Sequence, residues 1–166
     1  MKPIALIIVL LTTLWDEFLH LLSYRSAGNP MPENVKDVYD AERYAKWQAY
    51  NRDKNRLAMI STAVSGLVTF VLLLLNAHAA IAPAGWNVYG QMIAVLLFQQ
   101  LIDTVTGIAF EWHDTMKIEE KYGFNRTTRG TFIRDQIINF TISLALNVGL
   151  MAIFIKLYSA ICTQIL

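Results

Sequence analysis

Cysteine is almost missing. Cys162 is the only one in 166 residues, which excludes an internal disulfide framework and any cysteine-rich zinc site. It reads as a small apolar residue in a helix. Charge is scarce too, at 16% of residues, where a soluble domain carries about 25%. The signs nearly cancel, 14 Lys and Arg against 13 Asp and Glu. A formal net charge of +1 gives no global basic field, so nucleic acid is not an expected partner. Histidine occurs three times, as His20, His78 and His113, and none sits in an HExxH motif. There is no nucleophile motif and no glycine-rich phosphate loop.

Apolar residues are what the chain has in excess. They make up 55% of it, and they fall into long runs. A helix needs about 20 mostly apolar residues to cross the hydrocarbon of a bilayer. Four runs meet that length, at about 4–24, 57–82, 88–110 and 137–158, the last followed by further mostly apolar residues to 166. The sequence therefore predicts an all-α, polytopic membrane protein, a single membrane domain over 1–166 with four transmembrane helices. Residues 1–22 have signal-like features, but Trp15-Asp16-Glu17 follows the apolar run where a small-residue cleavage site would lie. That segment reads as a retained anchor. Pro83-Ala84-Gly85-Trp86-Asn87 reads as a tight turn with an interfacial Trp, pairing the second and third spans as a hairpin.

The loops are strongly asymmetric. Loops 25–56 and 111–136 hold twelve of the 14 basic residues. With four spans they share a side, which the positive-inside rule makes cytoplasmic. The N-terminus then faces outward. The expected location is a bacterial plasma membrane. Both loops are predicted to be structured. In the first, Pro32 suits an initial helical position and Glu42 and Lys46 stand i, i+4. A helix lying partly against the membrane surface is one reading, and a solvated amphipathic connector is the other.

Polar residues inside the spans are few. Ser61, Thr62, Ser65, Gly66 and Thr69 follow one helix face, the pattern of close helix packing in lipid. Asn139, Ser143 and Asn147 stack four residues apart, as interhelical glue or the wall of a wet cavity. Asp103 is costly in a span unless paired or wet, which makes it a candidate site residue, with pairing to a basic loop residue as the structural alternative. Asp16 and His20 stand i, i+4, and His113, with Glu111 and Asp114, could add a ligand from the second loop. Two ligands on one helix do not make a zinc centre, and interfacial solvation explains them as well. Asn125-Arg126-Thr127 and Asn139-Phe140-Thr141 match the glycosylation sequon by chance, given their predicted positions.

The loops carry the family signal. Ile118-Glu119-Glu120-Lys121-Tyr122-Gly123-Phe124-Asn125, then Thr131-Phe132 and Asp135, resembles the hallmark loop of the CAAX prenyl protease 1 family, I-E-x-K/R-F/Y-G-F-N before a T-x-x-x-F-x-x-D stretch. Tyr44, Tyr50, Arg52, Asp53 and Lys54 in the first loop resemble that family's Y…Y-x-R-D-K element. The resemblance implies the N-terminal membrane domain of a zinc metalloendopeptidase, whose helices enclose a chamber. It implies zinc, a catalytic HExxH half in cis or in trans, and a membrane-associated peptide substrate. None of the catalytic motif is in this chain, so no catalytic residue and no cofactor is expected within it, and the chain alone is expected to be inactive. The alternative is a free-standing membrane scaffold without chemistry. The lipid bilayer is a partner on either reading.

Overall fold

The computed structural model describes residues 2–33 and 40–165, with side chains up to residue 161. The Cys162 side chain and the predicted loop-helix residues Val35, Val38 and Tyr39 lie outside these limits. Among the described residues there are helices and no strands. The elements are α1 (Lys2–Ser26), α2 (Ala41–Leu74), α3 (Ala77–Ile81), α4 (Val88–His113), a π-helical segment (Asp114–Glu119), α5 (Glu120–Tyr122) and α6 (Arg129–Ile165). Four helical runs, Lys2–Ser26, Ala41–Leu74, Val88–Tyr122 and Arg129–Ile161, are long and apolar enough to cross a membrane. Their apolar side chains stay exposed: Leu11, Leu67, Val105 and Leu150 are each at least 60% accessible. Water would not tolerate that much open apolar surface on a monomer.

The chain divides into two compact units. The first comprises Met1–Leu74 and Thr106–Thr127. Here α1 and α2 pack antiparallel. Lys2 Nζ donates to Leu74 O at 2.8 Å, placing a cation where the dipole of α2 ends. The predicted small-residue face of α2 is where α1 comes close. A Cβ on Gly66 would lie 2.5 Å from Thr13 Oγ1 and 2.6 Å from its Cγ2. His20 Nε2 stands 3.3 Å from Thr62 Oγ1 on the same seam.

The helix of the first loop and the second span are one element. Asp40 caps it, accepting from Arg43 N at 2.7 Å. No proline interrupts the following 34 residues, and the helix runs unbroken from polar loop to apolar span. At 1.5 Å per residue it reaches about 50 Å, well beyond the hydrocarbon of a bilayer, so its charged start projects from the apolar zone. The loop helix is thus continuous with the second span from Ala41 onward, and its expected beginning near Pro32 runs into residues 34–39, outside the described residues.

The second unit comprises Leu75–Val105 and Thr128–Leu166. The predicted span 57–82 is divided here. Asn76 adopts a left-handed conformation at φ 54°, and α3 follows it. Asn is among the few non-glycine residues that visit that region, and the Asn76 carbonyl accepts from Ala79 N and Ala80 N. The Pro83–Asn87 turn forms as expected, with Trp86 N bonded to Pro83 O at 3.0 Å and Asn87 Oδ1 capping α4 through Gly90 N at 2.8 Å. Thr128 caps α6 through Thr131 N at 3.2 Å. That helix starts before the predicted 137 and continues past Tyr158 without a break.

Candidate functional site

The two polar segments that carry the family signal meet at the projecting end of α2. Tyr50, Asp53 and Lys54 stand i, i+3 and i+4, so they share one helix face. That face meets the π-helical segment and α5. Lys54 Nζ lies 2.7 Å from Asp114 Oδ2 and 3.3 Å from Glu119 Oε1. Asp53 Oδ2 accepts from Lys121 Nζ at 2.6 Å and from the Tyr122 hydroxyl at 2.8 Å. The Tyr50 ring meets Tyr122 and Phe124 edge-on, with centroids 5.4 and 5.0 Å away. Ile118 and Tyr122 are buried.

Local chain geometry makes this contact possible. The π-helical turn at Asp114–Glu119 shifts the phase of the helix continuing from α4. Gly123 then stops it at φ 78°, with Gly123 N bonded to Glu120 O and Phe124 N bonded to Glu119 O, a Schellman ending. Only glycine takes that conformation without strain. Asn125 closes the turn by accepting from Thr127 N at 2.6 Å.

A second face of α2 holds the end of α1. Gln48 Nε2 donates to Asn29 O at 2.6 Å, and the Tyr44 hydroxyl reaches the same oxygen at 3.5 Å. The Arg52 guanidinium lies over Gly28, where a Cβ would come within 2.6 Å of Nη2. Tyr44, Gln48 and Arg52 thus face one way, and Tyr50, Asp53 and Lys54 another.

These charges lie in the polar extension of α2 and in the second loop, outside the apolar spans. The Lys121 hydrogen bond lowers the Asp53 pKa, burial opposes it, and the Tyr122 hydroxyl adds to the lowering. Burial pulls the Lys54 pKa down, but the hydrogen bond and charge of Asp114 outweigh it and the net shift is upward. Lys121 is raised by its bond to Asp53. Burial, then the Asp53 bond, raises Tyr122. Every group is held in its ordinary ionisation state. A lysine made more basic and already paired makes a poor general base at neutral pH. The arrangement is a fastening between two loop segments.

The remaining candidates are dispersed. Asp16 lines a groove between α1 and α2, His20 contacts Thr62, and His113 lines a separate cleft beside Asp53. Among the described residues no three His, Cys, Asp or Glu side chains group to hold a metal ion. Asp16, His20 and His113 therefore do not come together as one group. Asp103 accepts from Gln99 Nε2 at 2.8 Å, and Gln99 Oε1 in turn meets His78 Nε2 at 2.9 Å. The Gln99 and Asp103 spacing was visible in the sequence, but the His78 end comes from α3, which was not. On α6, Asn139 and Asn147 are exposed and Ser143 is half-buried; Asp135 is exposed near the helix start.

Comparisons with known proteins agree with this fold. The family described as CAAX prenyl protease N-terminal, five membrane helices, matches residues 20–165. The chain is 25% identical to a CAAX prenyl protease 1 homolog of Oryza sativa subsp. japonica, across 91% of this chain and 38% of that protein. It is 26% identical to a CAAX prenyl protease 1 homolog of Homo sapiens, across 78% of this chain and 30% of that protein. It therefore spans well under half the length of these relatives. The crystal structure of S. mikatae Ste24p superposes with a TM-score of 0.79 over 96% of this chain and 40% of that one, at 20% identity, and shares its fold. The family match and the four apolar helices make this an integral membrane protein.

Proposed function

The chain belongs to the CAAX prenyl protease N-terminal family, and from that premise we propose that it serves as the N-terminal membrane domain of a CAAX-prenyl-protease-like zinc metalloendopeptidase. In this reading its spans form part of a chamber wall. The fastened loops form the rim, against which an HExxH-bearing catalytic half docks in cis or in trans. The zinc belongs to that half, and a membrane-associated peptide is the substrate. The loops face the cytoplasm and the N-terminus faces outward, following the distribution of basic residues. The relatives named above are eukaryotic and lend no support to a bacterial membrane.

One observation carries the proposal. The family-like residues of the first loop, Tyr50, Asp53 and Lys54, bind the family-like residues of the second, Glu119, Lys121 and Tyr122. A rim that must present a fixed surface to a second half requires this kind of preorganisation.

The test is reconstitution. This chain and an HExxH-bearing half, fused or co-expressed, are placed in liposomes with a farnesylated CAAX peptide. Cleavage is expected only when both are present, with one zinc per complex. A catalytic half equally active without this chain would sink the proposal, and so would a folded chain that never associates with one.

A further inference from the structure

A cleft of about 370 Å³ opens between the start of the apolar part of α2 and the π-helical segment. Arg56, Lys117 and Lys121 line it with His113, against one carboxylate, Asp53. Asp53 Oδ2 is already engaged by Lys121 and Tyr122. Arg56 and Lys117 are exposed, and no acid among the described residues stands within ion-pair distance of either. The cleft therefore carries surplus positive charge.

Its apolar lining comes from both sides, Leu57 and Ile60 from α2 and Ile118 from the π-helical segment. Arg56 is the last charged residue before a run from Leu57 to Ile102 with no Asp, Glu, Lys or Arg. The cations thus stand at the level where hydrocarbon gives way to headgroups. We propose that this cleft binds a phosphate group, supplied by an anionic phospholipid whose glycerol and acyl chains lie along Leu57 and Ile60. Arg56 supplies a planar fork for two phosphate oxygens, and Lys117 a point charge from the opposite wall. A basic pocket between membrane helices at the polar boundary is suited to such headgroups. An acidic protein segment would satisfy the charge but would leave the Leu57–Ile60 wall uncovered. The inference does not rest on the catalytic reading.

The test uses the purified chain in detergent, titrated with phosphatidylglycerol or phosphatidylcholine and read by native mass spectrometry. Phosphatidylglycerol is expected to bind preferentially, and Arg56→Gln with Lys117→Gln to weaken it by about tenfold or more. The charge-keeping pair Arg56→Lys and Lys117→Arg is expected to retain binding, which separates lost charge from lost fold. Inorganic phosphate that competes only in large excess assigns the site to the lipid. Competition at equal concentration assigns it to free phosphate and still supports the phosphate site. Equal binding of the two lipids, or unchanged binding in the Gln pair, overturns the proposal. So does a soluble acidic peptide that binds where neither lipid nor phosphate does.

Discussion

Lys54 and Asp114 stand sixty residues apart in sequence and 2.7 Å apart in space. Their side chains are 34% and 27% accessible, so water screens the pair in part. Lys54→Met should lower stability by about 1 kcal/mol, because Asp114 and Glu119 would then face each other unpaired. A double-mutant cycle with Asp114→Asn, followed by thermal unfolding in detergent, measures the coupling. Strictly additive losses would show that the contact is incidental.

Asp53 has a folded pKa below its ordinary 3.8, chiefly through Lys121. Its contribution to stability is therefore full above 3.8 and fades as pH falls through the lowered value. The Lys121 partner is raised above 10.5, so its contribution is lost only as pH climbs past that point. Between these limits the pair should leave stability flat. Asp53→Asn should remove the part of the acid-side decline that begins at and below pH 3.8. An identical acid profile in the variant refutes the assignment.

Gly66→Ala should push α1 and α2 apart. The new methyl meets both γ atoms of Thr13, and Thr13 Oγ1 is committed to Val9 O at 2.8 Å, so rotating one atom away brings the other in. The expected cost is about 1–3 kcal/mol. Thr13→Ala in the same chain should recover much of it. Lack of recovery would mean that the helices are not held at that separation.

Gly123→Ala tests the backbone alone, since nothing lies within 4 Å of the added Cβ. The left-handed φ of 78° should cost about 1–2 kcal/mol. Gly123→Asn should cost less. Faster protease cleavage after Lys121 in the Ala variant than in the Asn variant is the expected readout; equal rates would contradict it.

Much of this was legible beforehand. The four spans follow from uninterrupted apolar length, and Gly123 between two aromatics signalled a turn. Ser61, Thr62, Ser65 and Gly66 marked a close-packing face through size alone, though not that α1 is its partner. Other features left no local trace. No glycine or proline announces the break at Asn76. The π-helical turn that brings Asp114 to Lys54 has no compositional signature. The continuity of α2 was obscured because a change from charged to apolar residues looks like a boundary, although the backbone needs none there.

That continuity has a mechanical consequence. A single helix joins the lipid-level residues around Gly66 to the fastening at Tyr50, Asp53 and Lys54. A rod without a joint cannot tilt at one end only. When bilayer thickness changes the inclination of the apolar half, the polar half swings with it as a lever. The loop segment from Asp114 to Phe124 must travel too, because it is clasped to that arm.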